Sequence, residues 1–453
     1  MKENAKKVLV GIIVLAGIAV VFACAVKLIQ AHRAKAAVQS SETTSVNAPE
    51  ENAITIEAKT NVPTTVTLDD GSKVQITEDN WRNYWDETRV AAVKDTNGVM
   101  VPVPKGYSSS LIYKKVGDDN VYIERTVDTG FVIYEDTAEQ SGEPEGEIQY
   151  TYPGTEAEGA VIVWATDANS TVNSVELKTA QTTRNQYVWV PVYNVDDMYE
   201  VDSTGKKWGK IYNMKGYSEP VLINNHYNYR EPDILSEYDA DKALPTYITE
   251  EERNQLNKEL TTNFEKTIAS IKKYGGFYIG RYETGNSAQE TAKVVKGNTR
   301  CTERWYIGYK KCKELKGNNE NIVTSMIYGS QFDRTLIWLV ETGRQYDDIM
   351  NDSSSWGNYY RKGPFYFYRE TGSVGRKGDM AMIPTGSAEY TNVNNIYDLS
   401  GNDDELTLEA YSSNYRVRRG GSYASASNGS AASRDYNSPN STGSCRAALY
   451  IEP

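Results

Sequence analysis

Four acidic side chains fall within eight residues towards the C-terminal end of the chain: Asp398, Asp403, Asp404 and Glu405. Carboxylates at this density repel one another, and a hard cation that prefers oxygen ligands, such as calcium, relieves the repulsion. The cluster therefore predicts a cation site. The alternative is a solvated acidic turn that holds no metal.

Histidine is too sparse for most hydrolytic or zinc chemistry. His32 and His226 are the two histidines among 453 residues, and His32 lies just beyond an apolar N-terminal run. Zinc sites built on two or three histidines are excluded, and a Ser-His-Asp or Cys-His mechanism could use only His226. Nothing beside His226 in the sequence suggests catalysis, so we predict no catalytic residue.

The four cysteines are Cys24, Cys301, Cys312 and Cys445. Their spacing gives neither a disulfide framework nor a CxxC metal motif. A bridge between Cys301 and Cys312 is feasible but the spacing does not indicate it.

Composition also bears on the kind of partner. With 49 Lys and Arg against 61 Asp and Glu, the net charge is -12, so no global positive field attracts a phosphate backbone and no nucleic-acid partner is expected. Tyrosine is in excess, with 34 Tyr against 7 Phe and 8 Trp. Amphipathic rings in this excess suit an irregular, partly hydrated surface.

The segment 423–444 has the composition of an adaptable binding surface, because it lacks Leu, Ile, Val, Phe and Met and is mostly Ser, Ala and Asn with two tyrosines. In paratopes, rigid rings provide contact area and small polar residues adapt to the ligand. The candidate ligand-binding residues are Tyr423, Asn428, Tyr436, Asn437 and Asn440. The alternative is a plain surface loop without a ligand.

Several elements must position these residues. Short alternating or β-branched runs separated by turn residues predict a β-rich region over 64–184, and an apolar strand stopped by proline follows at 186–192. Three helices are predicted next: one opened by a capping box at Thr249 and Glu252, a second over 302–315 and a third from near Ser330. After Trp356 the composition favours irregular backbone held by short strands.

The N-terminal end predicts a membrane attachment. Residues 8–26 form an uncharged apolar run of 19 residues, long enough to span a bilayer core, and basic residues follow it. We predict an uncleaved signal anchor within residues 1–35, with a lipoprotein processed at Cys24 as the alternative. Residues 36–63 carry no aromatic ring and predict a disordered stalk. The bulk of this single-pass protein is expected outside the cytoplasm, on a bacterial surface.

Four ordered segments resemble a known family. Residues 395–407 (NIYDLSGNDDELT), 416–423 (RVRRGGSY), 432–434 (ASR) and 445–449 (CRAAL) look like the C-terminal half of the formylglycine-generating enzyme family, also called sulfatase-modifying factor domains. Upstream, residues 187–191, 276–284 and 326–333 resemble earlier blocks of the same family, so the resemblance covers 185–453. It implies an α+β fold of the C-type-lectin-like kind with long ordered loops.

The resemblance implies a calcium site but argues against the family's chemistry. The family's calcium loop falls on the side chains of Asp398 and Glu405 and the backbone carbonyls of Gly401 and Asp403. Catalytic members hold copper with a cysteine pair shortly after R-G-G-S, whereas residues 423–434 contain no cysteine. Copper and formylglycine-generating activity are therefore not expected.

Five further residues are interpreted through the resemblance. Cys445 stands where the closing motif has an aromatic residue, and Cys301 and Cys312 are expected on the far side of the domain. Arg419 and Arg434 are expected to be structural braces.

The sequence thus predicts a membrane-anchored extracytoplasmic recognition module for a protein or glycan ligand. One alternative is a copper-dependent formylglycine-generating or related oxidase-type enzyme that uses Cys445 and another thiol. A purely structural envelope role is the third hypothesis.

Overall fold

A computed structural model describes the following residues: 53–59, 62–95, 97–116, 120–125, 130–136, 160–165, 184–223, 229–231, 249–285, 292–297, 303–359, 366–368, 373–375, 382–386, 388–411, 415–425, 429–438 and 440–453. The predicted anchor, most of the predicted stalk, both histidines, Cys24, Cys301 and Asn428 lie outside them. No helix in the described part is long and apolar enough to cross a membrane. The anchor therefore stays a prediction.

The strands before the first long helix are β1 (Thr65–Thr67), β2 (Lys73–Gln75), β3 (Val90–Lys94), β4 (Met100–Pro104), β5 (Tyr107–Val116), β6 (Asn120–Arg125), β7 (Val132–Glu135), β8 (Ala160–Ala165), β9 (Gln186–Pro191), β10 (Tyr199–Val201), β11 (Lys207–Gly209), β12 (Tyr212–Asn213), β13 (Val221–Leu222) and β14 (Tyr229–Arg230). The later strands are β15 (Gly276–Gly280), β16 (Glu303–Arg304), β17 (Ile322–Met326), β18 (Tyr366–Tyr368), β19 (Ser373–Gly375), β20 (Glu405–Tyr411), β21 (Tyr415–Arg419), β22 (Arg434–Asn437), β23 (Thr442–Cys445) and β24 (Ala447–Ile451).

The α-helices of the described residues are α1 (Glu250–Tyr274), α2 (Trp305–Glu314), α3 (Gly329–Glu341) and α4 (Tyr346–Met350). Short 3-10 helices cover Trp81–Asn83, Val195–Asp197 and Glu389–Thr391. The three predicted helices are confirmed. At the start of α1, Thr249 and Glu252 form the predicted capping box, and Gly275 ends the helix in a left-handed conformation.

Two sheets organise the chain. An eight-stranded sheet has the order β17-β24-β15-β9-β7-β5-β6, with β8 also paired to β5. A six-stranded sheet has the order β16-β23-β20-β21-β22, with β14 also paired to β20. The chain passes directly from the second sheet to the first at Arg446, which is the single residue between β23 and β24. The side chain of Arg446 is fully buried at this junction.

Strands β5 to β8 of the β-rich region belong to the same sheet as the strands that follow residue 185, whereas β1-β2 and β3-β4 form separate two-stranded sheets. Strand β7 pairs antiparallel with β9, and β9 pairs with β15, so one ladder crosses the expected boundary at 184/185. Tyr187 and Phe277, on two of these strands, have no exposed surface. The described part of the region 64–184 therefore shares its hydrophobic core with the C-terminal part of the chain.

The predicted stalk ends earlier than the expected residue 63. Ile54 and Ile56 pack against the hydrophobic core, and the backbone N–H of Ile54 donates to the carbonyl of Pro220 at 3.0 Å. Lys59 forms an ion pair with Glu341 at 2.9 Å. The prediction was wrong here because two isoleucines, even without an aromatic ring, bury apolar surface against a core that is already formed.

Candidate binding site

Three tyrosine rings form an exposed cluster at one end of the six-stranded sheet. Tyr411 and Tyr415 are directly opposite each other across the β20–β21 hairpin, and Tyr436 lies on the neighbouring β22. The ring centroids of Tyr411 and Tyr436 are 4.2 Å apart with an interplanar angle of 22°, and Tyr415 meets Tyr436 edge-on at 5.2 Å. Tyr415 is 40% exposed and Tyr436 44%. We call these three residues the tyrosine cluster.

The register explains why three rings share one face. Tyr436 is opposite Val417, which is two residues beyond Tyr415 on the same strand. Because directly opposed residues have side chains on the same face and the side-chain period of a strand is two, Tyr415, Val417 and Tyr436 point the same way. Val417 is fully buried, so the apolar face continues from the core out to the exposed rings.

A buried ion network braces the other end of the same two strands. Arg419 and Arg434 are opposite each other on β21 and β22, where two like charges would repel. Asp333 of α3 accepts hydrogen bonds from both guanidinium groups, that from Arg434 at 2.8 Å, and Glu409 lies 3.1 Å from the Nε of Arg434. The network of Arg419, Arg434, Asp333 and Glu409 thus balances two positive groups with two carboxylates. It confirms the expected role of both arginines as structural braces.

A third buried carboxyl, Glu231, lies near this network. Glu231 lies beside the N-terminus of α3, where its Oε2 accepts the backbone N–H of Ser330 at 3.0 Å. Burial raises the pKa of Glu231 to about 8, while its hydrogen bonds to Ser330 oppose the rise and the nearby Glu409 and Asp333 add to it. The carboxyl is therefore largely protonated at neutral pH.

The structure brings together only some of the predicted ligand-binding residues. Tyr436 belongs to the tyrosine cluster. The Oδ1 of Asn437 accepts the backbone N–H of Ser438 and the hydroxyl of Ser441, both at 2.8 Å, so this side chain closes the turn into β23. Asn440 is exposed in that turn, and its backbone N–H donates to the Oγ of Ser438.

Two further predicted residues do not extend the cluster. Tyr423 is half-buried in a turn after β21, where its backbone N–H donates to the carbonyl of Asn402. Asn428 lies outside the described residues. Sequence reasoning missed Tyr411 and Tyr415, although tyrosines four apart that flank Ser412-Ser413-Asn414 are a recognisable hairpin signal.

The predicted calcium ligands are close together in the fold but already have protein partners. The buried Asp398 carboxylate accepts the backbone N–H of Gly386 at 2.7 Å and the hydroxyls of Thr385 and Thr391 at 3.1 and 2.8 Å. Burial raises the pKa of Asp398, and these donors oppose the rise. The Asp403 Oδ1 accepts the neighbouring backbone N–H of Asp404 at 3.0 Å.

The other side-chain ligand, Glu405, is paired with Arg446. The Arg446 Nε lies 2.9 and 3.0 Å from the two carboxylate oxygens, and the same guanidinium donates to the carbonyls of Gly280 and Tyr397, each at 2.9 Å. Gly401 adopts a left-handed conformation with φ 74°. A fixed guanidinium therefore already pairs with Glu405, and Arg418 pairs with Asp404 at 3.2 Å.

A fourth carboxyl, Glu283, faces this group. Its Oε2 accepts the side-chain N–H of Asn402 at 2.7 Å, whereas its buried Oε1 has no hydrogen-bond partner. Burial and the nearby Asp398 and Glu405 raise the pKa of Glu283 well above its usual value. The described residues contain no group of three or more His, Cys, Asp or Glu side chains arranged to hold a metal. The donor set as placed does not fit calcium, and the calcium site stays a prediction.

Two thiols meet in the core. The Sγ atoms of Cys312 on α2 and Cys445 on β23 are 3.6 Å apart, and both residues are buried. The expectation that these cysteines lie on opposite sides of the domain was wrong. The packing of α2 against β23 brings them together, and their separation of 133 residues in sequence hid the contact.

Comparisons of this chain with models of known protein families, with curated proteins and with solved structures found no match. The resemblance to the formylglycine-generating enzyme family therefore rests on the sequence segments given above.

Proposed function

We propose that this protein is a membrane-tethered, extracytoplasmic recognition module that contacts a protein or glycan ligand through the tyrosine cluster. The domain from residue 185 onwards is, in this proposal, a non-catalytic relative of the sulfatase-modifying factor domains. The observation that carries the proposal is the exposure of Tyr415 and Tyr436 on ordered strands. Both are among the few large apolar side chains of the described residues that remain exposed.

The chemistry of the cluster suits recognition. A tyrosine offers a large apolar ring at low cost in conformational entropy and a hydroxyl for hydrogen bonding, which is why it is enriched at binding surfaces. Ring stacking between Tyr411 and Tyr436 fixes the orientation of the faces before a ligand arrives. A preorganised surface loses less entropy on binding than a flexible loop does.

The buried support of the strands that carry the cluster favours the same function. The network of Arg419, Arg434, Asp333 and Glu409 ties β20, β21 and β22 to α3, so these strands are held at the end away from the rings. Exposed aromatic side chains on braced strands are more consistent with a contact surface than with an incidental loop.

Binding to an array of bacterial and host glycans, and to candidate envelope proteins immobilised on a sensor, tests the proposal. We expect the full-length chain in detergent to bind at least one ligand, and the double variant Tyr415→Ala/Tyr436→Ala to bind it about 10- to 100-fold more weakly, because aromatic residues are frequent hot spots. Val201→Ala is the matched control, since Val201 is 63% exposed on β10, away from these strands. An equal loss of affinity in Val201→Ala, or no loss of affinity in the double variant, would rule out the tyrosine cluster as the ligand contact.

A second candidate function has one observation in its favour. The pair of Cys312 and Cys445 places two soft sulfur ligands 3.6 Å apart, and a copper-dependent formylglycine-generating or related oxidase-type enzyme would need such ligands. Copper retained by the purified full-length chain and lost in Cys445→Ser, together with loss of oxidase activity, would favour the enzyme. A recognition module is expected to bind its ligand equally well with and without copper.

A further inference from the structure

Cys312 and Cys445 are held face to face by elements that are themselves well fixed. Cys312 lies in α2 with no exposed surface, and Cys445 is the last residue of β23 with 1% exposure. The backbone N–H of Thr284 donates to the carbonyl of Cys445 at 2.8 Å, which fixes the strand end. Both side chains therefore have little freedom to move apart.

A glycine lets the helix approach the strand this closely. A Cβ added to Gly308, one turn before Cys312, would lie 3.2 Å from the methyl carbon of Met326 and 3.4 Å from the Sγ of Cys445. A Cβ at position 308 would thus be in tight contact with Met326 and in van der Waals contact with Cys445, so glycine leaves the most room where α2 meets β23. The local sequence thus accommodates the contact between the two sulfurs.

We infer that Cys312 and Cys445 are disulfide partners that tie α2 to β23 in the exported protein. The Sγ separation of 3.6 Å needs to shorten by about 1.5 Å to reach the S–S bond length of about 2.05 Å, which small side-chain rotations can supply. The inference rests on the predicted export, because such bonds form and persist in oxidising compartments.

The chemistry is thiol–disulfide exchange with a disulfide of a small molecule or of an oxidoreductase as the oxidant. The thiolate of one cysteine attacks a sulfur of the oxidant, which gives a mixed disulfide and releases one thiol. The thiolate of the second cysteine then displaces the oxidant's other sulfur. One S–S bond forms in the protein, the oxidant's S–S bond is reduced to two thiols, and these take up the two protons.

The bond would close a long loop around the proposed binding surface. The segment from Cys312 to Cys445 includes α3, the acidic cluster and all three residues of the tyrosine cluster. In the chain-entropy account, a cross-link over such a loop destabilises the unfolded chain more than a short one does. The disulfide would therefore hold together the strands that position the tyrosine cluster.

Mass spectrometry of the full-length chain, purified from membranes without reductant and alkylated in denaturant, tests this inference. We expect a linked peptide pair that contains Cys312 and Cys445 and is two hydrogens lighter than the separate peptides, with Cys301 alkylated. A Cys301→Ser variant is the control and should keep the same link. Alkylation of both Cys312 and Cys445, or a Cys301 to Cys312 link, would overturn the inference.

Thermal melting provides a second readout. Reductant should lower the melting temperature of the wild-type chain on the order of 10 °C, whereas Cys445→Ala should melt at the same temperature with and without reductant. If Cys445→Ala fails to fold, the mass measurement on the wild-type chain still tests whether Cys312 and Cys445 are linked. Stoichiometric copper in the wild-type chain, lost in Cys445→Ala, would also contradict the disulfide.

Discussion

Asp333 is the residue on which the brace of the strands that carry the tyrosine cluster depends. It has 1% exposed side chain, accepts from Arg419 and Arg434, and its Oδ2 also accepts the backbone N–H of Tyr212 at 2.9 Å. A buried ion pair adds little stability compared with apolar side chains in place of both partners. The loss of one partner, however, leaves an uncompensated charge in the core. The orientation of β21 and β22 therefore relies on this one carboxylate.

Asp333→Asn should lower the free energy of unfolding by about 3–5 kcal/mol, because it leaves two buried guanidinium groups to one carboxylate. Urea unfolding followed by tryptophan fluorescence measures the change. Asp435→Asn is the matched control: Asp435 pairs with Arg418 but is 60% exposed, so its loss should cost less than about 1 kcal/mol. Equal losses in the two variants would contradict the brace.

Glu231 should make stability depend on pH. Its pKa is about 8 in the folded protein against an ordinary value of 4.5, so the folded state binds more protons between these values. Stability from this group is present below about pH 4.5 and is lost as pH rises through 8, by about 5 kcal/mol in total. Glu231→Gln should remove this part of the pH dependence in urea unfolding at pH 5 and pH 8. If the free energies of unfolding of the wild-type chain and Glu231→Gln differed by the same amount at pH 5 and pH 8, the assignment would be contradicted.

At the scale of elements, two glycines directly follow β21 and allow the backbone to bend there. Gly420 has φ 83° and Gly421 has φ 72°, both in the left-handed region. A Cβ at Gly420 would also lie 3.0 Å from the carbonyl oxygen of Leu399. The positive φ angles and the close contact with Leu399 explain why the R-G-G-S segment has glycine at both positions.

Gly420→Ala should therefore cost more than backbone strain alone. Strain in the left-handed region is worth about 1–2 kcal/mol, and the contact with Leu399 adds to it. Gly205→Ala is the control, because Gly205 has φ 84° and no atom within 4 Å of an added Cβ. Thermal or urea unfolding of both variants should show the larger loss for Gly420→Ala, and equal losses would show that the carbonyl moves aside freely.

Local patterns predicted the helices but not the binding surface. The buried apolar side chains of α1, Leu256, Leu260, Phe264, Ile268 and Ile271, recur at spacings of four and three residues, and the helix start follows from the capping box. Both patterns are properties of neighbouring residues. The tyrosine cluster depends on the pairing of β20, β21 and β22, where Tyr436 is 25 residues after Tyr411 in sequence. The approach of Cys312 to Cys445 depends in the same way on packing between distant elements.

At the scale of the whole molecule, Arg446 joins the two sheets and pairs with Glu405 of the acidic cluster. Because its guanidinium already pairs with Glu405, a calcium ion there would have to displace it. We expect a chelator to leave the melting temperature of the full-length chain unchanged. A bound calcium ion at a hundredfold excess over its Kd would add about 2.7 kcal/mol, so a calcium-dependent rise that is lost in Asp398→Ala would restore the sequence hypothesis.

The central claim is that the tyrosine cluster contacts a ligand outside the cytoplasm. Site-specific photo-crosslinking tests it directly: a benzophenone amino acid replaces Tyr436 in cells that produce the full chain, and the same amino acid replaces the exposed Val201 as the control. The account predicts a discrete crosslinked species from position 436, absent from position 201 and reduced by Tyr415→Ala. No crosslink at position 436, or the same products from both positions, would contradict it.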